Sequence, residues 1–222
     1  MRSILCIDTA MSNATVCLTV DGKLIDADHN NEIQDHAAWL HSAISGLLRK
    51  NGYSLKELSA VAVSIGPGSY TGLRVGLSAA KGLCYALKIP LIALNTLEIL
   101  AFGVRDLAQT FICPMIDARR MEVYTAVYDK NLIENISPLA MILHSNSFES
   151  LLTNNHILFC GNGINKFRPL LNNVNATFTE KSDSTLAMST LADMYLQQEK
   201  ISDIAYCEPL YLKDFHSSTT RQ

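Results

Sequence analysis

The side chains of this sequence that can do chemistry fall into two groups. One is the run Gly66-Pro67-Gly68-Ser69-Tyr70-Thr71-Gly72-Leu73-Arg74-Val75-Gly76. The other is a pair of aspartates, Asp8 followed by Thr9, and Asp117 followed by Ala118, Arg119 and Arg120. Two glycines around a proline let a buried strand reverse sharply into a helix, and they leave free N–H groups at the helix start, where a phosphate or other anion is attracted. The plainer reading of Gly66, Gly68, Ser69 and Thr71 is a tight connection with a hydroxyl N-cap, and no Walker lysine follows the second glycine. Two carboxylates facing one another across a cleft would suit Mg²⁺ and nucleotide phosphates, whereas aspartates at strand ends also satisfy turn amides with no ligand at all. Glu122, just before the strand Val123 to Tyr128, is either a third cleft carboxylate or a solvated strand start.

Other chemistries find no residues to carry them. His36 and His41 are five apart, about 140° around a helix, whereas a zinc pair of the HExxH type needs a spacing of four. His29, His144, His156 and His216 form no cluster, and no GxSxG elbow is present for a serine hydrolase. Cys6, Cys17, Cys84, Cys113, Cys160 and Cys207 lie far apart, make no CxxC pair and mostly sit in apolar runs, so they read as reduced core residues. A protein that grips nucleic acid alone shows a basic face, and a formal net charge of -3 offers none. Arg105, Arg119 and Arg120 are too few to hold a nucleic acid alone, so any such contact is expected to be shared with a partner. The N-terminus has one basic residue, Arg2, and a short run broken at Asp8, neither a signal peptide nor a membrane span. A cytoplasmic protein without membrane association is expected.

The elements that must position these groups follow from hydrophobic periodicity. A chain of 222 residues, 48% hydrophobic, buries a sizeable core. Residues 3–9 and 14–20 are apolar and β-branched runs, and Asp21-Gly22 turns into a third strand near Lys23 to Asp28, which makes an antiparallel meander. Trp39, Leu40, Ala43, Ile44, Leu47 and Leu48 recur at helical spacing between an Asp35 N-cap and an Asn51-Gly52 stop. Ser54 and Glu57 fit a capping box, residues 60–66 a buried strand, Thr71 to Leu87 a second long helix, residues 91–95 another strand, and Thr96 caps a helix reaching about Asp106. A second hairpin, 110–117 and 122–129, opens the other half. A short strand at 158–160, a helix from Ile164 to Leu171 and one from Thr185 to Gln198 complete it. The reading is two α/β lobes, residues 1–106 and a smaller 107–222, each starting from a hairpin that ends near an aspartate.

One helix face is unusual. Gly72, Gly76, Ala80 and Cys84 recur every four residues, and each interior glycine costs about 1 kcal/mol against alanine, so close packing is the natural offset.

These residues carry a family resemblance. IDTA (7–10), GPGSYTGLRVG with the following A-A-K-G-L (66–83), DARRMEVY (117–124) and EPLYLK (208–213) resemble the bacterial TsaB family, also called YeaZ. The match covers most of the chain; Tyr70 stands where phenylalanine is usual and Lys213 where arginine is usual, and residues 130–180 match weakly. The resemblance implies the actin-like ATPase (ribonuclease H-like) fold of sugar kinases and heat-shock ATPases, with two related lobes, each a mixed sheet with flanking helices. It implies a scaffold and activator subunit, itself non-catalytic. Such a subunit pairs with a TsaD homologue and with a TsaE homologue to place threonylcarbamoyl on N6 of adenosine 37 in tRNAs reading codons that begin with A. ATP and Mg are then expected at the partner subunits and no cofactor on this chain, which meets tRNA indirectly and forms a homodimer when isolated. The metal-binding histidines of TsaD have no counterpart in spacing, and Gly161-Asn162-Gly163 is only a fragment of a GGxxxN adenosine motif. Pairing through helices of the first lobe would engage Trp39, Leu40, Ile44 and Leu47 with Gly72, Leu73, Gly76 and Ala80 as half of an intersubunit four-helix bundle. Asp8, Thr9, Gly66, Gly68, Ser69, Asp117 and Arg119 would line the residual anion or nucleotide cleft. The alternative from the enzyme class is a small Mg-ATP-dependent phosphotransferase or ATPase of the same fold; a peptidase lacks a nucleophile or metal set.

Overall fold

The structure, a computed structural model, describes residues 1–30, 36–181 and 183–213. β1 (Ser3–Asp8) and β2 (Ala14–Val20) pair antiparallel, and Asp21 and Gly22, both at positive φ, turn the chain into β3 (Lys23–Asn30). α1 (His36–Lys50) follows; its expected N-cap, Asp35, lies outside the described residues. The Ser54–Glu57 capping box is present on a single 3₁₀ turn. β4 (Ala60–Gly66), α2 (Tyr70–Leu87) and β5 (Leu91–Asn95) then run as a parallel strand–helix–strand unit. α3 (Thr96–Phe102) takes its cap from Asn95, whose Oδ1 accepts the Leu97 N–H, one residue before the threonine expected to cap it.

The second half repeats this plan. β6 (Phe111–Asp117), β7 (Glu122–Asp129) and β8 (Glu134–Ile142) form an antiparallel meander, after which come α4 (Glu149–Leu152), β9 (Ile157–Cys160), α5 (Ile164–Phe167), β10 (Ala176–Thr179) and α6 (Ser184–Gln197). The first sheet has the order β3-β2-β1-β4-β5 and the second β8-β7-β6-β9-β10, the same path twice. That duplicated mixed sheet is the actin-like arrangement. β8, α4 and β10 were not legible in the sequence. β8 is an edge strand interrupted by Pro138, with register shifts opposite Val127, so it lacks clean alternation.

The expected division at residue 106 fails at its far end. α6 does not stay with the second sheet: Ala187, Met188, Leu191 and Ala192 pack on Ile4, Cys6 and Cys17 of the first. Ser202 then bridges to Leu91, and the Leu210 N–H donates to the Ile65 carbonyl. The first sheet is thereby covered on both faces, by α1 and α2 on one side and by α3 and α6 on the other. α3 is shared, since Ile99 and Phe102 face the first sheet while Leu97, Leu100 and Ala101 face Ile112 and Ile116 of the second.

All six cysteines are free, five of them buried. Burial pushes the Cys84 thiol up to about 11 and Cys113 to about 12, which keeps both protonated and unreactive at neutral pH. Among the described residues no helix is long and apolar enough to cross a membrane.

Candidate functional site

The glycine turn and the end of β1 are built as one unit. Ser69 caps α2, its Oγ accepting the Gly72 N–H at 3.2 Å. The Ser69 N–H, one of the orphan donors that would face an anion, instead donates to the Ala10 carbonyl at 2.7 Å, and Thr9 Oγ1 donates to the Gly72 carbonyl at 2.7 Å. The glycines permit this approach. A Cβ at Gly68 would lie 2.2 Å from the Ala10 oxygen, at Gly72 2.1 Å from the Thr9 oxygen, and at Gly76 2.3 Å from Thr9 Oγ1. The helix start that could cradle a phosphate is thus met by this chain's own β1–β2 connection.

The C-terminal segment closes the same region from outside. The Leu210 carbonyl lies against Gly66, the Tyr211 ring stacks on Tyr70 at 5.0 Å between centroids, and Arg74 Nε donates to Tyr211 Oη at 2.9 Å. Two residues on, Lys213 pairs with Glu122 of β7, so residues 210–213 strap the first lobe to the second. EPLYLK was conspicuous as a motif, but no local pattern told where it would dock.

The two aspartates occupy matching strand ends in different surroundings. Asp8 is buried, and its Oδ1 accepts from Ser64 Oγ at 2.6 Å and from the Ala10 N–H at 3.0 Å. Burial pushes its carboxyl above the ordinary range, opposed by those two donors and the nearby charge of His36. Asp117 is exposed and accepts from the Arg119 N–H at 2.6 Å and from Lys166 Nζ at 2.5 Å. Partial desolvation alone would raise it, but Lys166 and the Arg119 amide outweigh that and hold it below the usual value. Each carboxylate is thus engaged within its own lobe. Glu122 is half-buried in its ion pair with Lys213 rather than solvated. With the glycine turn seated on Ala10, these contacts fit a Mg-nucleotide poorly. Among the described residues no group of three or more His, Cys, Asp or Glu side chains is placed to hold a metal.

The raised pKa of Asp8 has a pH signature. A carboxyl whose folded pKa lies above its unfolded value favours the fold when protonated, and that contribution is lost as pH rises through the folded value. Asp8→Asn keeps an acceptor for Ser64 and Ala10 without the buried charge. Its Tm is expected to exceed the parent's at pH 7, with the gap shrinking as pH falls through the raised folded value toward the ordinary carboxylate value and holding constant below it; a gap independent of pH would contradict the assignment. Asp8→Ala, which orphans both donors, is expected to lose about 1–3 kcal/mol.

The helix faces are disposed differently from expectation. Leu40, Ile44 and Leu47 are buried with Leu77 and Ala80 against Leu5, Ile7, Val61 and Val63, and Trp39 is half-buried on the same cluster. Gly72, Leu73, Gly76 and Ala80 are likewise buried. The seam expected to stay uncovered is filled by the chain's own sheet, so these residues leave no free groove for another subunit. α1 lies beside α2, and the outward faces are what remains: Ala38, Ser42 and Gly46 on α1, and Ser78, Gly82 and Ala86 on α2. All are exposed except half-buried Gly46. Between Arg74 and Lys88 the exposed positions of α2 are Ser78, Gly82, Tyr85 and Ala86, and the one charged residue in that interval, Lys81, is half-buried. A Cβ at Gly46 or Gly82 would meet nothing within 4 Å among the described residues, none of which requires glycine at either place.

Comparison with known proteins places this geometry. A family model described as TsaD: tRNA N6-adenosine threonylcarbamoyltransferase matches residues 30–215. The tRNA threonylcarbamoyladenosine biosynthesis protein TsaB of Bacillus subtilis is 32% identical over 178 residues, covering 79% of this chain and 77% of that one. The protein of the same name from Buchnera aphidicola subsp. Baizongia pistaciae is 27% identical over 225 residues, 96% of this chain and 99% of its own. Among solved structures, YeaZ from Pseudomonas aeruginosa aligns over 96% of this chain and 100% of its own with a TM-score of 0.76 at 22% identity, a likeness of fold.

Proposed function

The chain belongs to the TsaB family, and from that premise we propose that it serves tRNA threonylcarbamoyladenosine biosynthesis as a non-catalytic scaffold and activator, holding a TsaD homologue through the outer faces of α1 and α2. The single observation that carries this is the pair of open glycines. Gly46 and Gly82 each cost their helix about 1 kcal/mol against alanine, and none of the described residues uses the space. An offset from outside is the natural one, because a nearly uncharged face of mostly small residues, with the exposed Tyr85 ring at its end, lets another helix pair approach closely. In isolation the same face would take a second copy. The engagement of Asp8, Asp117 and the α2 start supports a subunit without nucleotide chemistry, so ATP and Mg are assigned to the partners, with the TsaE homologue and tRNA joining the assembled pair.

Gly82→Arg puts charge and bulk into open space and replaces glycine with a better helix former, so the chain is expected to fold as before, with an unchanged circular dichroism spectrum and a Tm no lower than the parent's. Co-purification with a co-expressed TsaD homologue is expected to fall at least tenfold, and threonylcarbamoyl transfer to tRNA with it. Retained pairing, or transfer that proceeds equally without this chain, would sink the proposal. The phosphotransferase alternative is tested by titrating the isolated chain with ATP and Mg²⁺, where tight binding or turnover would favour it.

A further inference from the structure

The tip of the β6–β7 hairpin holds a conformation its residues do not favour. Arg119 and Arg120 both sit in the left-handed region, at φ 68° and 48°. There a bulky side chain crowds the following carbonyl, and glycine or asparagine is the usual occupant. Four hydrogen bonds enforce it. Asp117 accepts the Arg119 N–H, the Asp117 N–H donates to Asn162 Oδ1 at 2.8 Å, and Lys166 of α5 donates both to Asp117 and, at 3.2 Å, to the Glu122 carbonyl. Strain of this kind persists where the surroundings over-determine it, and it clusters where a side chain is wanted in a particular place.

The same contacts settle the electrostatics. The two acids that flank the tip are already paired, Asp117 with Lys166 and Glu122 with Lys213. Neither arginine side chain makes an ion pair or hydrogen bond among the described residues, and both residues are exposed. Two adjacent guanidinium groups are therefore presented on a braced turn without a hydrogen-bonded or ion-paired partner among the described residues, Arg119 feeling only the through-space attraction of Asp117, in a chain whose net charge is -3.

We propose that the Arg119–Arg120 tip is a direct contact for the phosphate backbone of RNA. The guanidinium fork matches phosphate oxygens bidentately, and a tip that projects two forks from a rigid hairpin suits a local grip rather than a broad basic field. The inference rests on the reading of the chain as a component of tRNA modification and goes beyond it, because it gives this subunit its own contact with the substrate. Met121 and Ile142, exposed beside the tip, make an acidic protein surface the competing occupant.

The test is the double variant Arg119→Asn with Arg120→Gly, made in the full chain and assembled with the TsaD homologue. Titration of an unmodified tRNA transcript by fluorescence anisotropy is run at several salt concentrations. Relief of the backbone strain is expected to raise Tm by about 2–6 °C. Affinity for the transcript is expected to fall about tenfold, and the slope of log affinity against log salt to flatten by about 1–2. Unchanged affinity overturns the proposal, as does a loss of affinity with an unchanged slope. A variant that keeps the transcript but no longer retains a TsaD or TsaE homologue assigns the tip to an acidic protein and also overturns it. Should the parent chain not assemble at all, the subunit reading has failed; parent and variant are then compared on the transcript at low salt without a partner, where equal binding still refutes the contact.

Discussion

Alanine at Gly72 or leucine at Gly76 will destabilise the fold of this chain rather than release a partner from it. The first Cβ atom at residue 72 would stand 2.1 Å from the Thr9 carbonyl oxygen, and at residue 76 it would stand 2.3 Å from Thr9 Oγ1 and 3.5 Å from Ile7 Cγ2. The Thr9 carbonyl belongs to the backbone just after β1 and cannot rotate away, so α2 would have to lift off the sheet. Lifting it opens the cluster in which Leu77, Ala80 and Cys84 meet Ile7, Val61 and Val63. Overpacking a close interface typically costs about 1–3 kcal/mol when side chains can adjust, and here the neighbour is main chain. We expect a loss of at least about 3 kcal/mol, read as a fall in Tm of about 6–12 °C or more in a chain of this size. Gly82→Ala is the control. None of the described residues lies within 4 Å of its new methyl group, and alanine is the better helix former, so Tm should rise by about 2–4 °C. A Gly76→Leu chain that melts like its parent would mean that the seam is open after all and that the groove belongs to another molecule.

The reason the sequence misassigned this seam is instructive. α2 carries two small-residue stripes, Gly72-Gly76-Ala80-Cys84 and Ser78-Gly82-Ala86, and the step from Gly76 to Ser78 turns about 200° around the helix. Periodicity therefore marks two opposite faces as smooth and contains nothing to say which one meets the sheet. That choice is made by Thr9 and Ala10, some sixty positions earlier in the chain, whose contacts with the helix have no local signature. Elements with their own period or cap were legible, including the hairpins, α1, α2 and the capped turn at Ser54. Features set by remote partners were not: the return of α6 to the first sheet, the docking of Leu210 to Lys213, and the different fates of Asp8 and Asp117. Both aspartates end apolar strands, yet Ser64 encloses one and Lys166 neutralises the other.

Phe159→Ala should be the most damaging substitution in the second lobe, and it will also show whether the two lobes fold as one. Phe159 is fully buried on β9, with ring centroids 5.6 Å from Phe148, 5.2 Å from Phe167 and 5.2 Å from Phe178. Removing it takes the shared member from an aromatic cluster that holds α4, α5 and β10 on the sheet, and a buried phenylalanine lost to alanine costs about 3–5 kcal/mol. The expected fall in Tm is about 6–20 °C. The shape of the transition carries more information than its position. α3 is wedged between the sheets, with Ile99 and Phe102 on one side and Leu97 and Leu100 on the other, and α6 leaves the second half of the sequence to complete the core of the first. A second lobe that melts withdraws the support of α3, so circular dichroism and calorimetry should report one shifted transition with coincident midpoints. Two separated transitions would show instead that the first sheet, with α1 and α2, is stable on its own, and the outer face assigned to the partner would then survive in a chain whose second lobe is unfolded.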